Sequence, residues 1–145
     1  MRVVITGAAS GIGRAVAERL AAGQVIAGPH QMLLTDRDAD GLKTVADGIG
    51  AAAAVYVADL ASPDCGDVII AAALSHMGGV DAVVSNAGII AAGALVDLTP
   101  ADFDRIYSIN TRATWAATNV TALTNSLLLT YVFVKTWVYQ AFSIP

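Results

Sequence analysis

The chain has 145 residues, 56% of them hydrophobic and 14% charged, and twelve acidic against eight basic side chains give a net charge of −4. This length accommodates one domain with a real core and is too short for a typical two-domain enzyme, so we expect a single domain over residues 1–145. The basic residues are scattered, which argues against a nucleic-acid surface, and the lone Cys65 excludes an internal disulfide and a cysteine-rich metal site. The high apolar fraction predicts a homo-oligomer, a dimer or a tetramer.

Targeting and membrane signals are weak in this sequence. The N-terminal apolar run gives way to glycine within a few residues, which is too brief for a secretory signal, so we expect a cytoplasmic protein. No charged residue occurs between Ala113 and Val134, but several Thr, Asn and Ser side chains interrupt this stretch, whereas a membrane-spanning helix needs about 20 mostly apolar residues. We therefore expect no membrane span. The two histidines, His30 and His76, have no ligand cluster beside them, and we expect no metal site.

The first apolar run breaks into glycines and then resumes with helical spacing. Val3–Ile5 has no polar alternation, as is typical of a parallel strand buried on both faces, and the spacing of Val16, Ala17 and Leu20 predicts an amphipathic helix. Glycines between them allow a sharp turn and a close approach of a ligand to the helix N-terminus, where a pyrophosphate would be favoured. The Gly-x-x-x-Gly-x-Gly spacing is not the commonest dinucleotide fingerprint, and alone it also fits a turn that binds nothing.

A second strand is predicted over Met32–Asp36, and it ends in an acidic residue. In dinucleotide-binding folds, a carboxylate at this point accepts hydrogen bonds from the adenosine ribose. The same negative charge would repel a 2′-phosphate, which favours NAD over NADP, whereas the neighbouring Arg37 could bind that phosphate. Taken alone, Asp36 also fits a residue that only caps the loop after the strand. The connection before this strand, residues 24–31, contains glycine and proline and is predicted to lie on the surface.

The rest of the chain continues to alternate between helices and strands. Helices are predicted over Asp38–Ile49, over Pro63–Met77 with Ser62 as its cap, and from the cap Thr99 to Asn110; strands are predicted over Ala53–Ala58, Val80–Ser85 and Leu127–Val134. Thr99 followed three residues later by Asp102, with proline between them, is a strong helix start. Strand–helix units in series predict an α/β fold with a doubly wound parallel sheet of the Rossmann type, and ligand sites at the carboxyl ends of its strands.

Several short motifs occur in the order of a known family. They are the pattern Thr6-Gly7-Ala8-Ala9-Ser10-Gly11-Ile12-Gly13, the acidic–aliphatic pair Asp59-Leu60 after the third strand, Asn86-Ala87-Gly88 after the fourth, and Asn110 in the helix that follows. Over residues 1 to about 118 the sequence resembles the short-chain dehydrogenase/reductase family. This resemblance implies an NAD-dependent oxidoreductase that transfers a hydride between a nicotinamide cofactor and a secondary alcohol or ketone.

The resemblance also implies the site residues. The cofactor would be bound by Gly7, Ser10, Gly11, Ile12, Gly13, Asp36, Arg37, Asp59, Leu60, Asn86, Ala87 and Gly88. The catalytic residue carried over is Asn110, which in the family supports a catalytic water and the active-site lysine. Two alternatives stay open: Asp59 also fits a turn or N-cap residue, and Asn110 also fits a helical asparagine that faces solvent.

The resemblance stops near Thr118. The family presents a tyrosine and a lysine four residues apart on a helix, so that the ammonium favours the phenolate, with a serine upstream. Tyr131 and Lys135 have this spacing and Ser126 precedes them, but the residues over Leu127–Val134 predict a strand, on which positions four apart are separated by about 13 Å. We therefore expect that Tyr131 is not the catalytic base.

Residues 119–145 are thus expected to form a divergent tail, and the sheet to be truncated after about the fifth strand. A truncated gene product, a frameshifted tail and missing segments are equally compatible with this pattern. The alternative function is a catalytically incomplete NAD-binding module, and a third is an interaction protein that uses the apolar tail.

Overall fold

The computed structural model describes residues 1–91, 93–124 and 129–131. Its helices and strands are, in chain order, β1 (Arg2–Thr6), α1 (Gly11–Ala21), β2 (Gln31–Asp36), α2 (Ala39–Ile49), β3 (Ala53–Val57), α3 (Cys65–Met77), β4 (Ala82–Val84), α4 (Pro100–Tyr107), α5 (Ala113–Thr124) and β5 (Leu129–Tyr131). A short 3-10 turn, Leu95–Asp97, precedes α4, and a π-helical segment, Ser108–Arg112, joins α4 to α5.

The five strands form one parallel sheet in the order β3-β2-β1-β4-β5. The chain therefore builds outward from β1 through β2 to β3, and then returns to the other side of β1 with β4. This reversal creates a switch point between β1 and β4, and in open α/β sheets ligands bind beside the carboxyl ends of the strands at such a point. The predicted doubly wound α/β fold is confirmed.

Helices cover both faces of the sheet, which explains why β1 lacks polar alternation. On the face packed by α3 and α5, the buried side chains include Val4, Leu33, Ile69, Ile70, Val83, Ala113 and Ala117. On the face packed by α1 and α2, they include Val3, Ile5, Ala17, Leu20, Leu34, Leu42 and Val45. Successive residues of a strand point to opposite faces, so a fully buried strand is apolar throughout.

The helix starts differ in how well the sequence predicts them. At α4 the expected capping box is present: the Thr99 hydroxyl accepts a hydrogen bond from the Asp102 amide (3.2 Å), and the Asp102 carboxylate accepts one from the Thr99 amide (3.0 Å). Hydrogen bonds from Thr99 lower the pKa of the Asp102 carboxyl.

At α3 the prediction is wrong. The helix begins at Cys65, and Ser62 does not cap it, because the Ser62 hydroxyl bonds the Asp64 carboxylate and the Ser62 amide closes a turn onto the Asp59 carbonyl.

Two surface features bear on the sequence predictions. Of the predicted surface connection, residues 24–29 and Gln31 are exposed, as expected, whereas His30 is buried and bonds to the Ile26 carbonyl. The rings of Phe103 and Tyr107 on α4 stack at a centroid distance of 6.4 Å and are 67% and 51% exposed. Trp115, further along in α5, is 64% exposed.

Among the helices that the structure describes, none is both long enough and apolar enough to cross a bilayer.

Candidate functional site

A cleft of about 400 Å³ lies at the carboxyl ends of β1–β4. Its lining residues are Gly7, Ala9, Ser10, Gly11, Ile12, Asp36, Arg37, Asp38, Ala58, Asp59, Leu60, Asn86, Ala87, Gly88, Ile89 and Ile109. All the predicted cofactor residues except Gly13 are among them. The fold therefore brings together motifs that are up to about 80 residues apart in the chain, at the edge where α/β folds place their ligands.

The glycine loop after β1 forms one wall of the cleft. Gly7 and Gly11 have positive φ angles of +68° and +54°, a backbone region that favours glycine. Gly13 lies behind the loop rather than in the cleft: it is buried, and a Cβ placed on it would stand 2.1 Å from the Gly7 carbonyl oxygen. Ser10 is the N-cap of α1, but its side chain makes no capping hydrogen bond. Because Ser10 does not cap the first-turn amides, these amides and the positive end of the helix dipole can act on an anion.

Asp36 closes the cleft at the end of β2 and is held by backbone amides. One carboxylate oxygen accepts a hydrogen bond from the Ala9 amide (3.1 Å), and the other accepts from the Arg37 (2.8 Å) and Asp38 (3.2 Å) amides. An ionised carboxylate has about four acceptor positions, so room for a further donor remains. Asp36 is thus both a loop cap and a carboxylate at the cleft.

The β1–β4 junction forms the floor of the cleft through reciprocal hydrogen bonds. The Thr6 hydroxyl accepts hydrogen bonds from the Asn86 (3.1 Å) and Ala87 (3.0 Å) amides. The Asn86 side-chain amide donates to the Thr6 (3.1 Å) and Gly7 (3.3 Å) carbonyls. Asn86 thereby ties the glycine loop to β4, and small residues follow it at Ala87 and Gly88. The sequence did not single out Thr6 by itself, although it ends the strand from which the loop departs.

Two further connections border the cleft. At the Asp59–Ala61 turn, the Asp59 carboxylate accepts a hydrogen bond from the Ala61 amide (2.9 Å), so Asp59 is a turn residue as well as a lining residue. Asn110, in the π-helical segment, exchanges two hydrogen bonds of 2.9 Å with the Ile89 backbone. Its side chain is thus bonded to the loop that follows Gly88, although the residue as a whole is exposed and does not line the cleft.

The comparisons with known proteins agree with this architecture. A family model described as short chain dehydrogenase matches residues 1–126. The chain belongs to the short-chain dehydrogenase family. Versicolorin reductase 1 of Aspergillus parasiticus is 37% identical over 112 residues, which are 75% of this chain and 41% of that protein.

Two solved structures have a similar fold. A 3-ketoacyl-(acyl-carrier-protein) reductase from Brucella melitensis, complexed with NADH, is similar with a TM-score of 0.73 and 38% identity, over 82% of this chain and 48% of that one. A blue fluorescent protein from a metagenomic library, in complex with NADPH, gives a TM-score of 0.76 and 30% identity, over 87% of this chain and 51% of that one. The chain thus spans about half the length of these relatives, or less.

The end of the chain was predicted to contain a strand over Leu127–Val134. β5 covers Leu129–Tyr131 and pairs with β4, with Tyr131 in register with Val84, so the strand is confirmed at these residues. Ser126 and Lys135, which share the family's spacing with Tyr131 but were not expected to form a catalytic set with it, lie outside the described residues. Within the described ranges, no group of three or more His, Cys, Asp or Glu side chains is placed to hold a metal ion.

Substitution of Thr6 tests whether hydrogen bonds to its hydroxyl stabilise the floor of the cleft. Thr6→Val keeps the shape of the side chain but removes the acceptor of the Ala87 amide and leaves the Asn86 amide with only the Val84 carbonyl. We expect a loss of about 2 kcal/mol in the free energy of unfolding, measured by urea denaturation, because two hydrogen bonds are lost and the partly buried Ala87 amide then lacks a partner. Thr6→Ser retains the hydroxyl and should lose much less. Equal losses in the two variants would show that packing, not hydrogen bonding, matters at Thr6.

Proposed function

We propose that this short-chain dehydrogenase binds NAD in the cleft and transfers a hydride between the nicotinamide and a small secondary alcohol or ketone. The observation that carries the proposal is that Gly11, Asp36 and Asn86, from three different strand ends, line one cleft. The relatives named as reductases, and the similar structures complexed with NADH and NADPH, support the same reaction class.

The residues present fit the adenosine diphosphate half of such a cofactor. The uncapped first turn of α1, next to Gly11, would receive the pyrophosphate, whose negative charge the helix dipole favours. Asp36 would accept hydrogen bonds from the adenosine ribose, while the apolar side chains of Leu60 and Ile109 offer a surface for the adenine. The cleft volume of about 400 Å³ is within the range of small-molecule sites.

We favour NAD over NADP because Asp36 places a carboxylate where a 2′-phosphate would approach. Three backbone amides fix the direction of this carboxylate, so it cannot readily turn away from a bound phosphate. Arg37 lines the same cleft and would attract that phosphate, which is the reason for measuring both cofactors.

When bound, the cofactor supplies the hydride acceptor or donor, and a protein group must move the proton at the substrate oxygen. We propose that Asn110 contributes to catalysis by position: its amide holds the Ile89 backbone, and so keeps the Asn86–Gly88 loop beside the cofactor. We also propose that residues 1–145 form one domain of a homo-oligomer. The exposed aromatic side chains of Phe103, Tyr107 and Trp115 support this, because large exposed apolar groups mark interaction surfaces.

A second candidate, an NAD-binding module without redox activity, is favoured by one observation. Tyr131 lies in β5, whereas the tyrosine and lysine pair of the family lies on a helix. Both candidates share the binding step and differ only in turnover.

Two measurements on the 145-residue chain distinguish the oxidoreductase from the binding module. The first is calorimetric titration with NAD and NADP, and the second is an assay of NADH formation with a panel of secondary alcohols. We expect NAD to bind, and to bind more tightly than NADP. Binding without turnover by folded protein would favour the module. Absence of any NAD binding at millimolar concentration would overturn both.

A further inference from the structure

The π-helical segment Ser108–Arg112 connects the two sides of the cleft. It interrupts the helical rod between α4 and α5, and the Ala113 amide bonds back to the Ser108 carbonyl, five residues earlier. Single π turns inside α-helices are frequent at functional sites. Residues two apart on a helix point in different directions, so Asn110 and Arg112 can reach different loops.

Those two loops border the cleft on different sides. Asn110 holds Ile89, which follows the Asn86–Gly88 loop, through two hydrogen bonds. Arg112 donates from Nη2 to the Ala61 carbonyl (2.6 Å), and Ala61 follows directly on the lining residues Asp59 and Leu60. The spacing between the loops therefore depends on where this short segment lies.

Stability alone does not account for an arginine at position 112. Its Nε is buried and has no hydrogen-bond partner among the described residues, which is unfavourable for a charged group. An apolar side chain would avoid this cost. The Arg112 charge also acts on Cys65, the first residue of α3. Burial raises the pKa of the Cys65 thiol, and the charges of Asp64 and Asp59 add to this rise, whereas the charge of Arg112 opposes it.

We propose that Arg112 is a positioning residue, which holds the Asp59–Ala61 turn against the π-helical segment and so sets the spacing of the cleft walls around the adenosine of the cofactor. This inference rests on the proposed function for its ligand, but the position of the turn can be measured without any ligand. The Ala61 and Ser62 amides both bond to Asp59, so their hydrogen exchange reports whether the turn stays closed.

The experiment compares Arg112→Met and Arg112→Lys with Arg105→Met as a matched control, since Arg105 is an exposed arginine of α4. In the free 145-residue chain, we expect Arg112→Met to accelerate exchange at Ala61 and Ser62 by about tenfold while β1 keeps its protection. Arg112→Lys should stay near the wild-type rate, because an ammonium can still donate to the Ala61 carbonyl, and Arg105→Met should have no effect.

The second measurement is affinity for NAD and for AMP. We expect Arg112→Met to lower the affinity for each ligand by about tenfold, and Arg112→Lys to keep most of the wild-type affinity. Three results for Arg112→Met would each overturn the proposal. They are unchanged exchange at Ala61, a loss of protection that extends to β1, and faster exchange at Ala61 with unchanged affinity for both ligands. If the wild-type chain binds neither ligand, the proposed function fails, and the exchange rates alone decide whether Arg112 positions the turn.

Discussion

Replacing Gly13 with alanine is expected to lower the free energy of unfolding by about 3 kcal/mol, as overpacking at a well-packed site does. The added Cβ would stand 2.1 Å from the Gly7 carbonyl oxygen and 2.7 Å from the Asn86 side-chain nitrogen. Neither atom can move freely, because Asn86 Nδ2 donates to that same carbonyl and to Thr6. The glycine loop, α1 and β4 would have to separate, and NAD binding would fall with them.

Gly48→Ala is the matched control for this prediction. Gly48 is an exposed residue inside α2, and a Cβ placed on it meets no atom within 4 Å. Because alanine is the better helix former, this substitution should stabilise the protein by about 0.5–1 kcal/mol. Urea denaturation followed by circular dichroism measures both variants. If the two alanine substitutions have similar effects, the close approach of α1 to the glycine loop is not a constraint on this fold.

The sequence predicts this architecture well where local patterns determine it. The uninterrupted apolar run Val3–Ile5 identifies a strand buried on both faces, and such a strand lies at the centre of the sheet. The capping box at Thr99 marks the start of α4 to the residue. Asp36 and Asn86 could be placed at one edge because parallel strands all end there.

Contacts that join distant parts of the chain could not be predicted in this way. Thr6 bonds to amides about 80 positions later, and Arg112 reaches a carbonyl 51 positions earlier, and neither contact leaves a local pattern. The predicted start of α3 was wrong because a serine hydroxyl at position 62 can bond either the first amides of a helix or the Asp64 carboxylate. The sequence does not show which of these bonds forms. The sequence predicts the helix that carries Phe103 and Tyr107, but it does not reveal that their rings are exposed.

Asp36→Asn is expected to change the cofactor preference of the chain. With the carboxylate in place, a 2′-phosphate would lie near a fixed negative charge. Removing that charge leaves Arg37 in the same cleft to attract the phosphate. We expect affinity for NADP to rise by about tenfold and affinity for NAD to fall by about tenfold, a change of about a hundredfold in their ratio, or about 2.7 kcal/mol. Parallel calorimetric titrations with the two cofactors measure this ratio.

The size of the loss for NAD follows from the hydrogen bonds around Asp36. Its carboxylate accepts from amides on both oxygens, and an asparagine must turn its NH₂ group toward one set of them. Asp40→Asn removes the same charge from the exposed first turn of α2, outside the cleft, and should leave the ratio unchanged. The effect of Asp36→Asn should also shrink at high salt, because exposed charges are then screened. If both variants shift the ratio equally, the preference comes from net charge and not from a carboxylate beside the ribose.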